Sequence, residues 1–97
     1  MEKFALLATV QAKPGKEQVV EDFLKSALPL AVAEPGTIRW YAFKISADTF
    51  GIFDTFADEA ARDAHLSGEI AKALMANADA LLAVPPDIKK IDILATK

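Results

Sequence analysis

Between Gly51 and His65 the chain reads Gly-Ile-Phe-Asp-Thr-Phe-Ala-Asp-Glu-Ala-Ala-Arg-Asp-Ala-His, and its period changes in the middle. Ile52, Asp54 and Phe56 alternate with Phe53 and Thr55, the rhythm of an extended strand. Asp58 then stands in a capping position, Glu59 in a first helical turn, and Ala60, Ala61 and Ala64 follow at helical spacing. A strand that passes straight into a helix must bury one face against it. An acid inside the apolar strand and the chain's single histidine at the end of the short helix are the residues with most chemistry to offer.

The rest of the chain supplies similar elements. Phe4 to Ala12 is apolar on both alternating sets, as in strands buried on both faces, and Lys13-Pro14-Gly15 ends it. Lys16 to Ala33 carries Val19/Val20, Phe23/Leu24 and Ala27/Leu28 at three-to-four spacing, which predicts one helix kinked at Pro29 and stopped by Glu34-Pro35-Gly36. Thr37 to Ile45 is β-branched and aromatic. Ser46 to Thr49 turns it into Phe50–Phe56, a hairpin. After the short helix of residues 58–66, Ser67 is expected to cap a long helix with Ile70, Ala73, Leu74, Ala78, Leu81 and Leu82 on its apolar stripe. Pro85-Pro86 stops that helix, and Ile88 to Ala95 reads as a last strand.

The order β-α-β-β-α-β defines an α+β, ferredoxin-like fold, a four-stranded antiparallel sheet with helices on one face. At 97 residues it forms one domain spanning 1–97. So short a chain has a marginal core of its own, yet 53% of its residues are apolar. The open sheet face therefore needs a cover, and a second copy supplies it: the pattern predicts a homodimer joined through that face. A net charge of −3 without a basic stripe argues against nucleic acid as a partner. No apolar run reaches the roughly 18 residues needed to span a membrane, and the N-terminus lacks signal-peptide character, so the expected location is the cytoplasm. Without cysteine there is neither a disulfide, a thiolate nucleophile nor a Cys-based metal site, and a lone histidine is poor support for any metal.

Pro14-Gly15-Lys16, Glu34-Pro35-Gly36-Thr37-Ile38-Arg39-Trp40-Tyr41, Phe53-Asp54-Thr55-Phe56, Asp58-Glu59-Ala60 and Ala64-His65-Leu66 occur in an order and spacing that resemble the antibiotic biosynthesis monooxygenase family. The resemblance spans nearly the whole chain and implies a dimeric α/β barrel. It further implies oxygen chemistry without flavin, metal or other cofactor. An electron-rich phenol, anthrone or quinol is ionised by a base in a dry pocket and itself reduces O2. This sequence departs from the family pattern at Asp54, where Glu is more usual, at Phe56, where Trp is common, and at Trp40, often Tyr. The Asn and haem-ligating His of the haem-degrading branch are replaced by Ala8-Thr9 and Met75-Ala76-Asn77, which disfavours haem degradation.

These considerations nominate His65 and Asp54 as an acid/base pair, His65 for its ordinary pKa of about 6.5 and Asp54 for its apolar setting. Trp40, Tyr41, Phe56, Thr9 and Arg39 are the candidates for binding a small aromatic or hydrophobic ligand. Each has a plainer reading. His65 could fix packing through a hydrogen bond, Asp54 could pair with Arg39 or Lys44 across the hairpin, and the aromatics could be core or interface. Trp40 and Tyr41 point to opposite faces, and the alternation leaves open which of them faces the pocket. The expected activity is that of a cofactor-independent monooxygenase or oxidase. The alternatives are a non-catalytic dimer that binds a small hydrophobic ligand in the same cavity, and a scaffold whose cavity is vestigial.

Overall fold

The computed structural model describes residues 2–97. The chain runs β1 (Phe4–Gln11), α1 (Glu17–Ser26), α2 (Leu28–Ala33), β2 (Thr37–Lys44), β3 (Thr49–Phe56), α3 (Glu59–Leu66), α4 (Glu69–Leu81) and β4 (Asp87–Asp92). The four strands form one antiparallel sheet in the order β2-β3-β1-β4. This is the expected α+β arrangement, with each long helical segment divided in two.

The division between α1 and α2 is sharper than a kink. In a continuous helix Pro29 would leave the Lys25 carbonyl without a donor and press its ring against it. The chain instead closes α1 at Ala27 and restarts, with Leu30 and Ala31 both donating to the Ala27 carbonyl at 3.1 Å. Glu34 then turns extended (φ −81°, ψ 112°), as a residue before proline prefers.

The second division corrects the expectation for Ser67. It is Gly68 that stands at the N-cap of α4, and no side chain caps that end. Ser67 lies one residue too early, and its hydroxyl donates back to the carbonyls of Asp63 and Ala64, closing α3 instead. Asp58 does cap α3, accepting from the Ala61 N–H at 2.8 Å. The last strand is shorter than Ile88–Ala95 because its partner β1 begins at Phe4, opposite Asp92.

Register fixes the faces. Leu6 lies opposite Asp54, Ala8 opposite Ile52 and Val10 opposite Phe50, while Trp40 and Ala42 meet Asp54 and Ile52 from the other side. These residues share the helix-covered face. There Val10, Phe50 and Ile52 pack with Val20 and Leu24 of α1, Leu74 of α4 and Leu82, and a second cluster joins Ala27, Ala31 and Ile70 to Trp40. The opposite face presents Leu7, Thr9, Tyr41, Phe43 and Phe53. Gly51 on that face makes room for the Phe43 ring, since a Cβ at Gly51 would collide with it. The strands β1 and β3 are thus apolar on both faces, as their composition requires. Between Thr37 and Arg39 the β2–β3 register shifts, and the Arg39 N–H donates to the Thr55 hydroxyl.

Candidate active site

Strand alternation forces Asp54 onto the helix side of β3, between Leu6 and Trp40, where it is 1% exposed. A carboxylate so deeply buried requires a counter-charge. The cap at Asp58 sets the phase of α3 so that Arg62 and His65, three residues apart, both turn inward. His65, 8% exposed, brings Nε2 to 2.8 Å from Asp54 Oδ2, and its ring packs on Phe56 with centroids 5.4 Å apart. Arg62 is directed elsewhere: its Nη1 donates to the Ile91 carbonyl and its guanidinium lies over the Phe4 ring.

The other imidazole nitrogen, Nδ1, lies 2.6 Å from Glu34 Oε1. The Thr37 hydroxyl donates to the same oxygen at 2.7 Å. Glu34, His65 and Asp54 therefore form a line, carboxylate–imidazole–carboxylate, from the end of α2 through α3 to the middle of the sheet. Burial alone would lower the His65 pKa. The contacts with Asp54 and Glu34 outweigh it and raise the value to about 9. At neutral pH His65 is an imidazolium, not the neutral base its ordinary pKa suggested. The Nε2–Asp54 approach pairs the charges without aiming the N–H well, so neither Asp54 oxygen has a directed hydrogen bond. The three groups do not converge on a point, and among the described residues no group of three His, Cys, Asp or Glu could hold a metal ion.

Two spaces flank the line. On the inner side Asp54 and His65 border a cavity of about 90 Å³, otherwise lined by apolar residues including Leu6, Ala8, Ile52, Leu74 and Ile88. On the outer side Glu34 and His65 border a wider, open cleft of about 340 Å³ between Leu30, Pro35, Ala61 and Ala64.

Of the residues nominated from sequence, the structure brings together Asp54, His65 and Phe56. Trp40 sits beside Asp54 on the same face but packs toward α2 and does not line the inner cavity. Tyr41, Thr9 and Arg39 lie on the other face, Tyr41 51% exposed and Arg39 3.5 Å from Glu2. Lys44 pairs with Glu21, so neither basic residue of β2 serves Asp54. The sequence places Glu34 in the helix stop and in the family-like stretch Glu34–Tyr41 without giving it a site role. The signal for its second role was the acid placed directly before Pro35-Gly36, where proline fixes an extended backbone and holds the side chain near α3.

Residues 3–77 match the sequence profile of the antibiotic biosynthesis monooxygenase family, and the chain belongs to that family. No curated protein sequence matches it. Among solved structures it is similar to a protein of unknown function from Nitrosomonas europaea, at 59% identity with a TM-score of 0.97, covering 100% of this chain and 94% of that one. A protein from Pseudomonas aeruginosa shares the fold at 24% identity and a TM-score of 0.84, covering 98% of this chain and 97% of that one. A structure described as an antibiotic biosynthesis monooxygenase shares it at 18% identity and a TM-score of 0.81, covering 95% and 99%. Among the described residues no helix is long and apolar enough to cross a membrane.

Proposed function

We propose that the protein is a cofactor-independent monooxygenase or oxidase that joins O2 chemistry to a small aromatic of quinol, anthrone or polyketide type. One observation carries this reading: Asp54 is a buried carboxylate with no directed hydrogen bond, at the wall of an apolar cavity and charge-paired with an imidazolium. Asp54 takes the hydroxyl proton of the substrate, leaving an electron-rich aryl oxide. That anion gives one electron to O2, and the aryloxyl radical and superoxide combine to form a C–O bond. The resulting peroxide anion recovers the proton from Asp54. The hydroperoxide then loses water, taking the hydrogen of the same carbon, to give a ketone, or departs as hydrogen peroxide with the proton of the second hydroxyl when a quinol becomes a quinone. Apolar walls suit this chemistry because they exclude water from the radical pair. The inner cavity is smaller than ordinary ligand pockets of roughly 300–1,000 Å³, so it accommodates O2 and the reacting edge of a ring, with any larger body extending past the exposed Met75.

The family likeness and the apolar open face support a homodimer in which Leu7, Tyr41, Phe43 and Phe53 meet a second sheet. The commitment of both His65 nitrogens to carboxylates favours the rival reading, a ligand-binding dimer in which the line is a structural lock. Oxygen uptake with a panel of hydroquinones, using protein dialysed against a chelator, separates the two. Asp54→Asn should lower turnover about 100-fold or more, as loss of a general base does. Unchanged turnover in that variant, or saturable quenching of Trp40 fluorescence with no uptake, would overturn the enzyme reading.

A further inference from the structure

We infer that Glu34 is a positioning residue, which holds His65 as an imidazolium of fixed orientation and thereby supplies the counter-charge that Asp54 needs at the cavity wall. The inference rests on Asp54 being the base, and extends the site to a residue on a different element, in the other half of the chain.

The geometry is built for this task. Pro35 and the end of α2 fix the Glu34 backbone, and the Thr37 hydroxyl, three residues on, anchors the same oxygen that meets His65. Gly68 leaves room for the second oxygen, because a Cβ there would stand 3.2 Å from Glu34 Oε2. The Glu34 side chain is 21% exposed at the outer cleft, so its own charge is partly solvated while it presses on a buried ring. A single carboxylate would have to offset the burial of His65 alone. With two, the ring keeps both protons, and neither nitrogen is free to rotate toward another acceptor. The charged groups facing His65 are Asp54 from β3 and Glu34 from the α2–β2 junction. Glu69 of α4 borders the outer cleft, and Arg62 on the same helix is turned away toward Ile91 and Phe4.

Because the chain has one histidine, its imidazole resonances in an NMR pH titration report His65 alone. The wild-type midpoint should lie far above the ordinary 6.5, and Glu34→Gln should lower it by about one unit or more. Glu34→Asp should recover part of the shift. In oxygen-uptake assays E34Q should cut kcat about tenfold with KM little changed, and the alkaline limb of the pH–rate profile should move down with the NMR midpoint. A wild-type midpoint near 6.5, or an unmoved midpoint in a natively folded E34Q protein, would overturn the inference. If E34Q fails to fold, the wild-type midpoint and the Glu34→Asp protein decide it. If the wild type consumes no oxygen with any hydroquinone, the proposed activity falls, while the titration still decides whether Glu34 holds the imidazolium.

Discussion

His65 Nε2 stands 2.8 Å from Asp54 Oδ2, across the interface between α3 and the central strand β3. This contact ties helix to sheet by charge where the surrounding contacts are apolar, and it gives His65→Ala a large expected cost. The substitution leaves Asp54, 1% exposed, without its counter-charge. Losing one partner of a buried pair costs about 3–5 kcal/mol. Urea denaturation should show that loss, and Asp54→Asn in the His65→Ala background should recover part of it, since the buried charge is then gone. A loss below about 1 kcal/mol would mean that the pair is not effectively buried.

The pH dependence of stability follows from the same histidine. Its pKa is raised in the folded chain to about 9, against about 6.5 when unfolded. A raised pKa means that the folded state binds the proton more tightly. The contribution is therefore complete below about pH 6.5 and fades as pH rises toward 9. Its ceiling is on the order of 3 kcal/mol at 1.36 kcal/mol per unit. Urea midpoints should fall between pH 6.5 and 9.5 in the wild type, and the fall should be much smaller in the His65→Ala protein. Parallel profiles would show that some other group governs this window.

Gly36 holds α3 in place from below. A Cβ at that position would lie 2.9 Å from the Ala61 Cβ, on a helix rather than at the end of a flexible side chain. Gly36→Ala should therefore push α3 outward and cost about 1–3 kcal/mol, the range for overpacking. Because α3 carries His65, the NMR titration midpoint should drop as well. Ala61→Gly in the same protein should restore both; stability recovered without the midpoint would separate packing from the site.

The open sheet face makes its own prediction. Phe53 lies at its centre, opposite Leu7 on one side and Tyr41 on the other. Light scattering should give about twice the 10.4 kDa chain mass, and Phe53→Asp should shift it to the monomer at micromolar concentration, since a charge in an apolar interface is left unpaired. A monomeric wild type would overturn the homodimer.

How far the sequence carried this picture depends on distance along the chain. Asp54 and His65 lie close together, on consecutive elements, and the change of period between them was enough to place both near the helix-covered face. Glu34 lies 31 residues from His65, and the Glu34-Pro35-Gly36 stretch that fixes its backbone does not say which distant ring the carboxylate reaches. The faces of Trp40 and Tyr41 were illegible for a different reason: β2 carries Trp40 and Ala42 on one face and Tyr41 and Phe43 on the other, so alternation alone could not say which side the helices cover. Ser67 and Pro29 misled by a single step each. Capping depends on which residue leaves helical dihedrals, and a proline's effect depends on whether the chain can restart around it.

The strand order β2-β3-β1-β4 gives this arrangement a consequence for assembly. Glu34 belongs to the first β-α-β half, and Asp54 and His65 to the second, yet β1 of the first half is wedged between β3 and β4 of the second. Neither half can complete its sheet alone. The line of three charges is therefore expected to close only once both halves have met across loops of tens of residues. Fragments of the chain should not carry a raised histidine pKa, and a partly folded chain should lack the completed line of charges.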